Sequence, residues 1–251
     1  MTPEPHAAPV GEPLGFPNCP LCPYVIAGPV RVCAECAART LTPIADRHCP
    51  ICSQAITDGQ GCRNALCRDP DRSIESIAAV AMYTEPLNSL IVGLKTNPRL
   101  SRGRIMGRLV LGWLQRNVRP EDVGLLVANP TYSATGEPGH TEMVLAHASR
   151  EDLLGEYPFA TPPALVKAGP TAKSKSRGYQ EKVRAAKALE QMLALPQGDA
   201  SVAGKRIIVY DDVLTSGSQL DAAAHFLKAH GAASVTGLVL ARAPWRHPAN
   251  T

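Results

Sequence analysis

The sequence predicts an α/β fold: a parallel sheet flanked by helices, preceded by a small cysteine-rich module. Three observations carry this. All eight cysteines of the 251 residues fall between Cys19 and Cys67, which marks off an N-terminal unit. From Ile77 onward, short apolar runs alternate with helical patterns, as in βαβ units built on a parallel sheet. With 45% hydrophobic and 19% charged residues, the chain can bury a sizeable core, which excludes a disordered or collagen-like polymer.

Taken in order, residues 1–17 carry five prolines and little that could pack, and read as a disordered or extended tail. Residues 18–72 are the cysteine-rich module, 73–120 a helical segment, 121–247 the α/β core, and 248–251 a short tail. A strand is expected at Ile77 to Tyr83, helices at Leu87 to Leu94 and Arg104 to Arg116, and strands at Val123 to Ala128 and Ala164 to Val166. The clearest strand is Arg206 to Tyr210. A helix follows with Leu220, Ala223, Ala224 and Leu227 on one face, then Gly231 as a stop signal and a strand from Val235 to Ala241. The start, Met1-Thr2-Pro3-Glu4-Pro5, lacks the basic and apolar regions of a secretory signal, and no apolar run approaches the ~18 residues of a membrane span. The expectation is a cytoplasmic protein with no membrane partner.

The cysteines are spaced as Cys19-x2-Cys22, Cys33-x2-Cys36, Cys49-x2-Cys52 and Cys62-x4-Cys67. A C-x-x-C knuckle presents two thiolates on one side of a turn, and two such pairs complete a tetrahedral zinc site. Without a secretion signal disulfides are disfavoured, so eight thiols suit two structural zinc ions. Spacing leaves the pairing open between sequential and interleaved sites. Residues 1–72 hold six basic and seven acidic side chains, a poor footprint for phosphate backbones. A staple or docking role fits better than nucleic-acid recognition. His48 beside Cys49 reads as a bystander.

The most informative stretch runs from Ile207 to Gln219. Asp211 and Asp212 follow an apolar strand, where desolvation and mutual repulsion make two carboxylates costly unless a polyhydroxyl or a cation uses them. Thr215, Ser216, Gly217 and Ser218 then lead into a helix. Backbone N–H groups, the helix dipole and the hydroxyls together make a phosphate cradle. Acids beside such a cradle suit a sugar phosphate.

Val209 to Ser218 resembles the phosphoribosyl-pyrophosphate (PRPP) motif of type I phosphoribosyltransferases. The chain after residue 18 resembles the ComF/GntX family of competence proteins, a cysteine-rich zinc region ahead of a phosphoribosyltransferase domain. The paired cysteines, Leu90-Ile91-Val92-Gly93-Leu94-Lys95 and Gly204-Lys205-Arg206 carry that likeness. The resemblance implies that Asp211 and Asp212 bind the ribose hydroxyls and that Thr215, Ser216, Gly217 and Ser218 hold the 5′-phosphate. It further implies that Asn129, Pro130 and Thr131 contact pyrophosphate, that Mg²⁺ accompanies PRPP, and that residues 73–120 form the hood. Gln219 stands where that motif usually has Thr, and Pro138-Gly139-His140-Thr141-Glu142 replaces the family's R-G-F-N-Q, losing an arginine and gaining a carboxylate.

The formal net charge is +4. Residues 167–187 carry seven basic side chains and one acidic, a local +6, which leaves −2 for the rest. Lys173, Lys175 and Arg177 lie in a stretch of loop composition that reads as a mobile catalytic lid closing over pyrophosphate, the alternatives being a solvated basic loop running into a helix or a contact to nucleic-acid phosphates. The expected function is transfer of phosphoribosyl from Mg-PRPP to a nitrogen acceptor, with PRPP or another ribose 5-phosphate as ligand. The alternative is a non-catalytic PRPP sensor or DNA-uptake accessory, partnered by single-stranded DNA or a protein of the competence machinery.

Overall fold

The structure, a computed structural model, describes residues 34–57, 61–96, 100–171 and 179–244. Its elements in chain order are α1 (Ala34–Thr40), α2 (Ala65–Arg68), β1 (Ile77–Met82), α3 (Leu87–Thr96), α4 (Leu100–Asn117), β2 (Leu125–Ala128), α5 (His140–Glu151), β3 (Val166–Lys167), α6 (Tyr179–Glu190), β4 (Leu193–Ala194), β5 (Arg206–Leu214), α7 (Ser218–Ala229) and β6 (Ser234–Arg242).

Among the described residues, four strands form one parallel sheet in the order β1-β6-β5-β2. Because side chains alternate across a strand, each strand serves two cores. Ile208 and Tyr210 of β5 and Leu126 of β2 face a core shared with α3, α4 and α5. Ile207, Val209, Leu125 and Val127 face the other, built with α6, α7, Leu66 and the buried Cys49 and Cys52. Residues 73–120 thus give β1 to the main sheet and α3 and α4 to one of its faces. Helix α4 lies close against α5: a Cβ on Gly107 would meet the Ala148 nitrogen at 2.7 Å. Arg104 and Arg108 of α4 both grip Glu151 of α5, with Arg108 Nε 2.9 Å from its Oε2.

Two expected elements differ. Strand β5 does not stop at Tyr210 but runs through the acidic pair to Leu214, because β6 continues to pair with it as far as Leu214 and Arg242. The run Ala164 to Val166 is not a strand of the main sheet. Ala164 and Leu165 are buried side chains outside any ladder, and only Val166 pairs, antiparallel with Ala194 in a separate two-stranded sheet. Apolar burial alone fills a core without requiring a ladder. The tail with Cys19, Cys22 and Cys33 lies outside the described residues, as do Lys173, Lys175 and Arg177 of the expected lid. Among the described residues, no helix is long and apolar enough to cross a membrane.

Candidate functional site

The site grows from the carboxyl ends of β2 and β5, where open parallel sheets bind ligands. The half-buried Asp211 accepts a hydrogen bond from the Asp212 backbone N–H at 2.8 Å on one oxygen and from Asn129 Nδ2 at 2.9 Å on the other. Asn129 itself continues the β2–β5 ladder by donating its N–H to the Tyr210 carbonyl at 2.7 Å. Its own Oδ1 is buried without a hydrogen-bond partner among the described residues. An orphaned acceptor beside a carboxylate fits a ligand that offers a donor to each.

Asp212 is buried and faces two bases. Lys95 Nζ, from α3, lies 2.5 Å from its Oδ2, and His140 Nε2, at the start of α5, lies 2.9 Å from the same oxygen. Burial pushes the Asp212 carboxyl up, but the His140 hydrogen bond and the Lys95 ammonium outweigh it and hold the group at about 2. For Asp211, burial and then the charge of Asp212 push the carboxyl up to about 6. Between pH 4 and 6 the folded protein therefore binds more protons at Asp211 than the unfolded chain, whose carboxyl titrates near 3.8. Its contribution to stability falls as pH rises through that window. The thermal midpoint of the wild type, relative to that of Asp211→Asn, is expected to drop from pH 4 to pH 6. A parallel pair of melting curves across this range overturns the assignment.

After Leu214 the chain turns through the exposed Thr215 and half-buried Ser216 into α7. Helix α7 begins after Gly217, which adopts φ +87° and supplies no side-chain cap. The Ser216 and Ser218 hydroxyls sit 3.0 Å apart. The N-terminus of α7 thus presents its dipole and two hydroxyls to a concavity lined by Asp211 and by residues 213–220, an arrangement suited to a phosphate. It opens beside a larger cleft of about 550 Å³, whose lining includes Lys95, Asn129, His140, Lys167, Asp211 and Asp212. Lys167, at the start of the basic segment, donates to Thr171 Oγ1 at 2.6 Å, and burial draws its ammonium pKa down.

The Asn129-Pro130-Thr131 turn is held by the start of α5. Thr141 Oγ1 donates to the Asn129 carbonyl at 2.9 Å, and Glu142 Oε1 accepts the Thr131 backbone N–H at 2.9 Å. The Glu142 carboxylate thus occupies the Thr131 amide.

The sulfurs of Cys49, Cys52, Cys62 and Cys67 all lie within 4.8 Å of one another. Cys49 Sγ to Cys67 Sγ and Cys52 Sγ to Cys62 Sγ are each 3.7 Å. That is too long for a disulfide, and it matches the edge of a tetrahedron with Zn–S of ~2.3 Å, about 3.8 Å. The four residues fit a zinc ion, and the pairing within this set is sequential. His48 is not among them; its Nδ1 meets the Ala45 carbonyl at 2.8 Å. Cys19, Cys22 and Cys33 are not described, and only the backbone of Cys36 is.

The structure thus brings together Asp211, Asp212, Asn129, Thr131 and the hydroxyl loop, all named from the sequence. It adds Lys95, His140 and Lys167. Lys95 was visible only as the end of the Leu-Lys segment and His140 only as a departure from a motif.

Residues 159–249 match the family model described as phosphoribosyl transferase domain. The chain has a phosphoribosyltransferase-type fold. The match takes in β5, the acidic pair, the hydroxyl loop and β6, while β1, β2, α3 to α5 and the cysteines precede it. No curated protein matches the chain. A solved structure of "the allosteric regulatory enzyme of purine biosynthesis" is 14% identical, over 55% of this chain and 25% of that one, with a TM-score of 0.34. The present chain spans a quarter of that chain's length.

Proposed function

We propose that the protein binds Mg-PRPP and transfers its phosphoribosyl group to a nitrogen acceptor, as a ComF-type cytoplasmic phosphoribosyltransferase. The observation that carries this is the acidic pair of β5 opening directly onto the hydroxyl loop at the N-terminus of α7. In this reading the 5′-phosphate sits on Thr215 to Ser218, and the ribose hydroxyls donate to Asp211 and Asp212. Asn129 Oδ1 takes a further ligand donor. Mg²⁺ enters with the pyrophosphate as part of the substrate. The C1–O bond to pyrophosphate breaks as the C1–N bond forms; pyrophosphate leaves with the electron pair and the nitrogen loses a proton. Because the transition state is oxocarbenium-like, the chain contributes mainly positioning and charge. Lys167 faces the cleft, and Lys173, Lys175 and Arg177 are assigned to the lid over pyrophosphate. Lys95 and Val92, within 73–120, wall the side assigned to the acceptor, and 18–72 is the zinc module.

The experiment is pyrophosphate release from Mg-PRPP with a panel of nucleobases and amides. Release that depends on an acceptor is expected; no measurable PRPP binding overturns the reading. One observation favours a second reading. Glu142 occupies the Thr131 N–H, which places a negative group where pyrophosphate would lie and suits a non-catalytic sensor of PRPP or ribose 5-phosphate. Tight binding without turnover decides for the sensor. Docking to single-stranded DNA or to competence proteins belongs to this second reading.

A further inference from the structure

The four-sulfur cluster and the hydroxyl loop touch each other, although about 150 residues separate them in the chain. Asn64, between Cys62 and Cys67 and only 2% exposed, donates from Nδ2 to the Ser216 carbonyl at 3.1 Å, while its Oδ1 accepts the Leu66 N–H at 3.2 Å. Leu66 follows in the same turn, and its Cδ2 lies 2.5 Å from where a Cβ on Gly217 would stand. The cysteine turn therefore forms the floor of the loop.

Arg242 supplies a second connection. It is 1% exposed, the largest fully buried side chain among the described residues. Its Nη1 donates to the carbonyls of Leu214 and Thr215, both at 3.0 Å, and of Ala243 at 2.8 Å. Nε and Nη2 have no hydrogen-bond partner among the described residues. A buried guanidinium needs a negative counterpart, and Arg242 lies beside the cysteine turn: it holds the Thr215 carbonyl, while Asn64 holds the carbonyl of the next residue, Ser216. Four thiolates around a zinc dication carry a net charge of about −2, which meets that need.

Resting on the ribose-phosphate reading of the loop, we propose that Arg242 is a positioning residue. Through it, and through Asn64, metal occupancy of Cys49, Cys52, Cys62 and Cys67 sets the affinity of the 215–218 loop for a phosphorylated ribose. With the metal in place, the guanidinium is balanced and holds the carbonyls that begin the loop. With the metal gone, the floor under Ser216 and Gly217 loses its anchor and the buried charge loses its counterpart. Coupling of this kind is reciprocal: ribose 5-phosphate must raise zinc affinity by the factor by which zinc raises ribose 5-phosphate affinity, typically about 5- to 150-fold.

The test uses the full chain. Hydrogen exchange at the 215–219 amides is compared between zinc-loaded and chelator-stripped protein, with β5 and β6 amides as the internal reference. Faster exchange confined to the loop is expected on stripping. An unchanged loop overturns the proposal. So does equal acceleration throughout the sheet, because the metal is then a global staple. Zinc affinity is next titrated against a chromophoric chelator with and without saturating ribose 5-phosphate. A reciprocal rise in zinc affinity is expected, and equal zinc affinity alongside demonstrated ribose 5-phosphate binding overturns the coupling. If the loop responds to zinc but ribose 5-phosphate does not bind, the connection from metal to loop stands, while the ligand reading and the affinity coupling that rests on it both fall. Arg242→Lys keeps the charge but loses the planar fork, so it should retain zinc to within a few-fold while loop exchange quickens about tenfold. Asn64→Ala should lower the reciprocal factor with both sites still binding. A wild-type factor in both variants overturns the role given to these residues.

Discussion

Replacing Asp211 and Asp212 together by asparagine is expected to lower affinity for ribose 5-phosphate by about a hundredfold or more. Each hydrogen bond accepted by a charged group is worth about 1.5–3 kcal/mol, and each 1.4 kcal/mol is about tenfold in affinity. Titration calorimetry at pH 8 is the measurement, and unchanged binding removes the acidic pair from the site. The single variants separate binding from folding. Asp211→Asn relieves a buried carboxylate crowded by its neighbour, so it should lose affinity while gaining thermal stability at pH 8. Asp212→Asn removes the partner of both Lys95 and His140, so it should lose affinity and stability together. A stabilised protein that binds poorly is the pattern of a residue kept for its ligand at a cost to the fold.

The second large effect is expected at Gly217. Its φ of +87° is a left-handed conformation, and an added Cβ would also press on Leu66. Gly217→Ala should cost about 1–2 kcal/mol in backbone strain, a drop in melting temperature of about 2–8 °C for a chain of this size. Because relief of that strain moves the entry to α7, affinity for ribose 5-phosphate should fall at least tenfold. Melting and calorimetry that both match the wild type would show that the loop does not need this glycine.

What the sequence disclosed and what it hid divide along distance in the chain. The β5–α7–β6 unit was legible because apolar alternation, a helical stripe and Gly231 all signal locally. The acidic pair and the hydroxyl loop were legible because they lie within eight residues of each other. Asn129 was reached through resemblance, but its bond to Asp211 crosses 82 positions. The convergence of Lys95 and His140 on one oxygen depends on how α3 and α5 settle on the sheet, which no short pattern records. Ending β5 at Tyr210 followed from the low strand propensity of aspartate. The ladder to β6 overrode it. Cysteine spacing announced the metal chemistry yet left the pairing open; the proximity of Cys49, Cys52, Cys62 and Cys67 required the turn around Asn64.

The sheet parts the molecule into two cores, and the candidate site draws on both. Lys95 and His140 come from helices on one face, whereas the hydroxyl loop rests on the face that also buries Cys49, Cys52 and Leu66. Such a partition lets one half of the cleft be altered without rebuilding the other. On the phosphoribosyl-transfer reading proposed above, substitutions in α3, α4 and α5 would alter the side from which the acceptor enters and leave the sulfur-braced side, which receives the phosphate, in place.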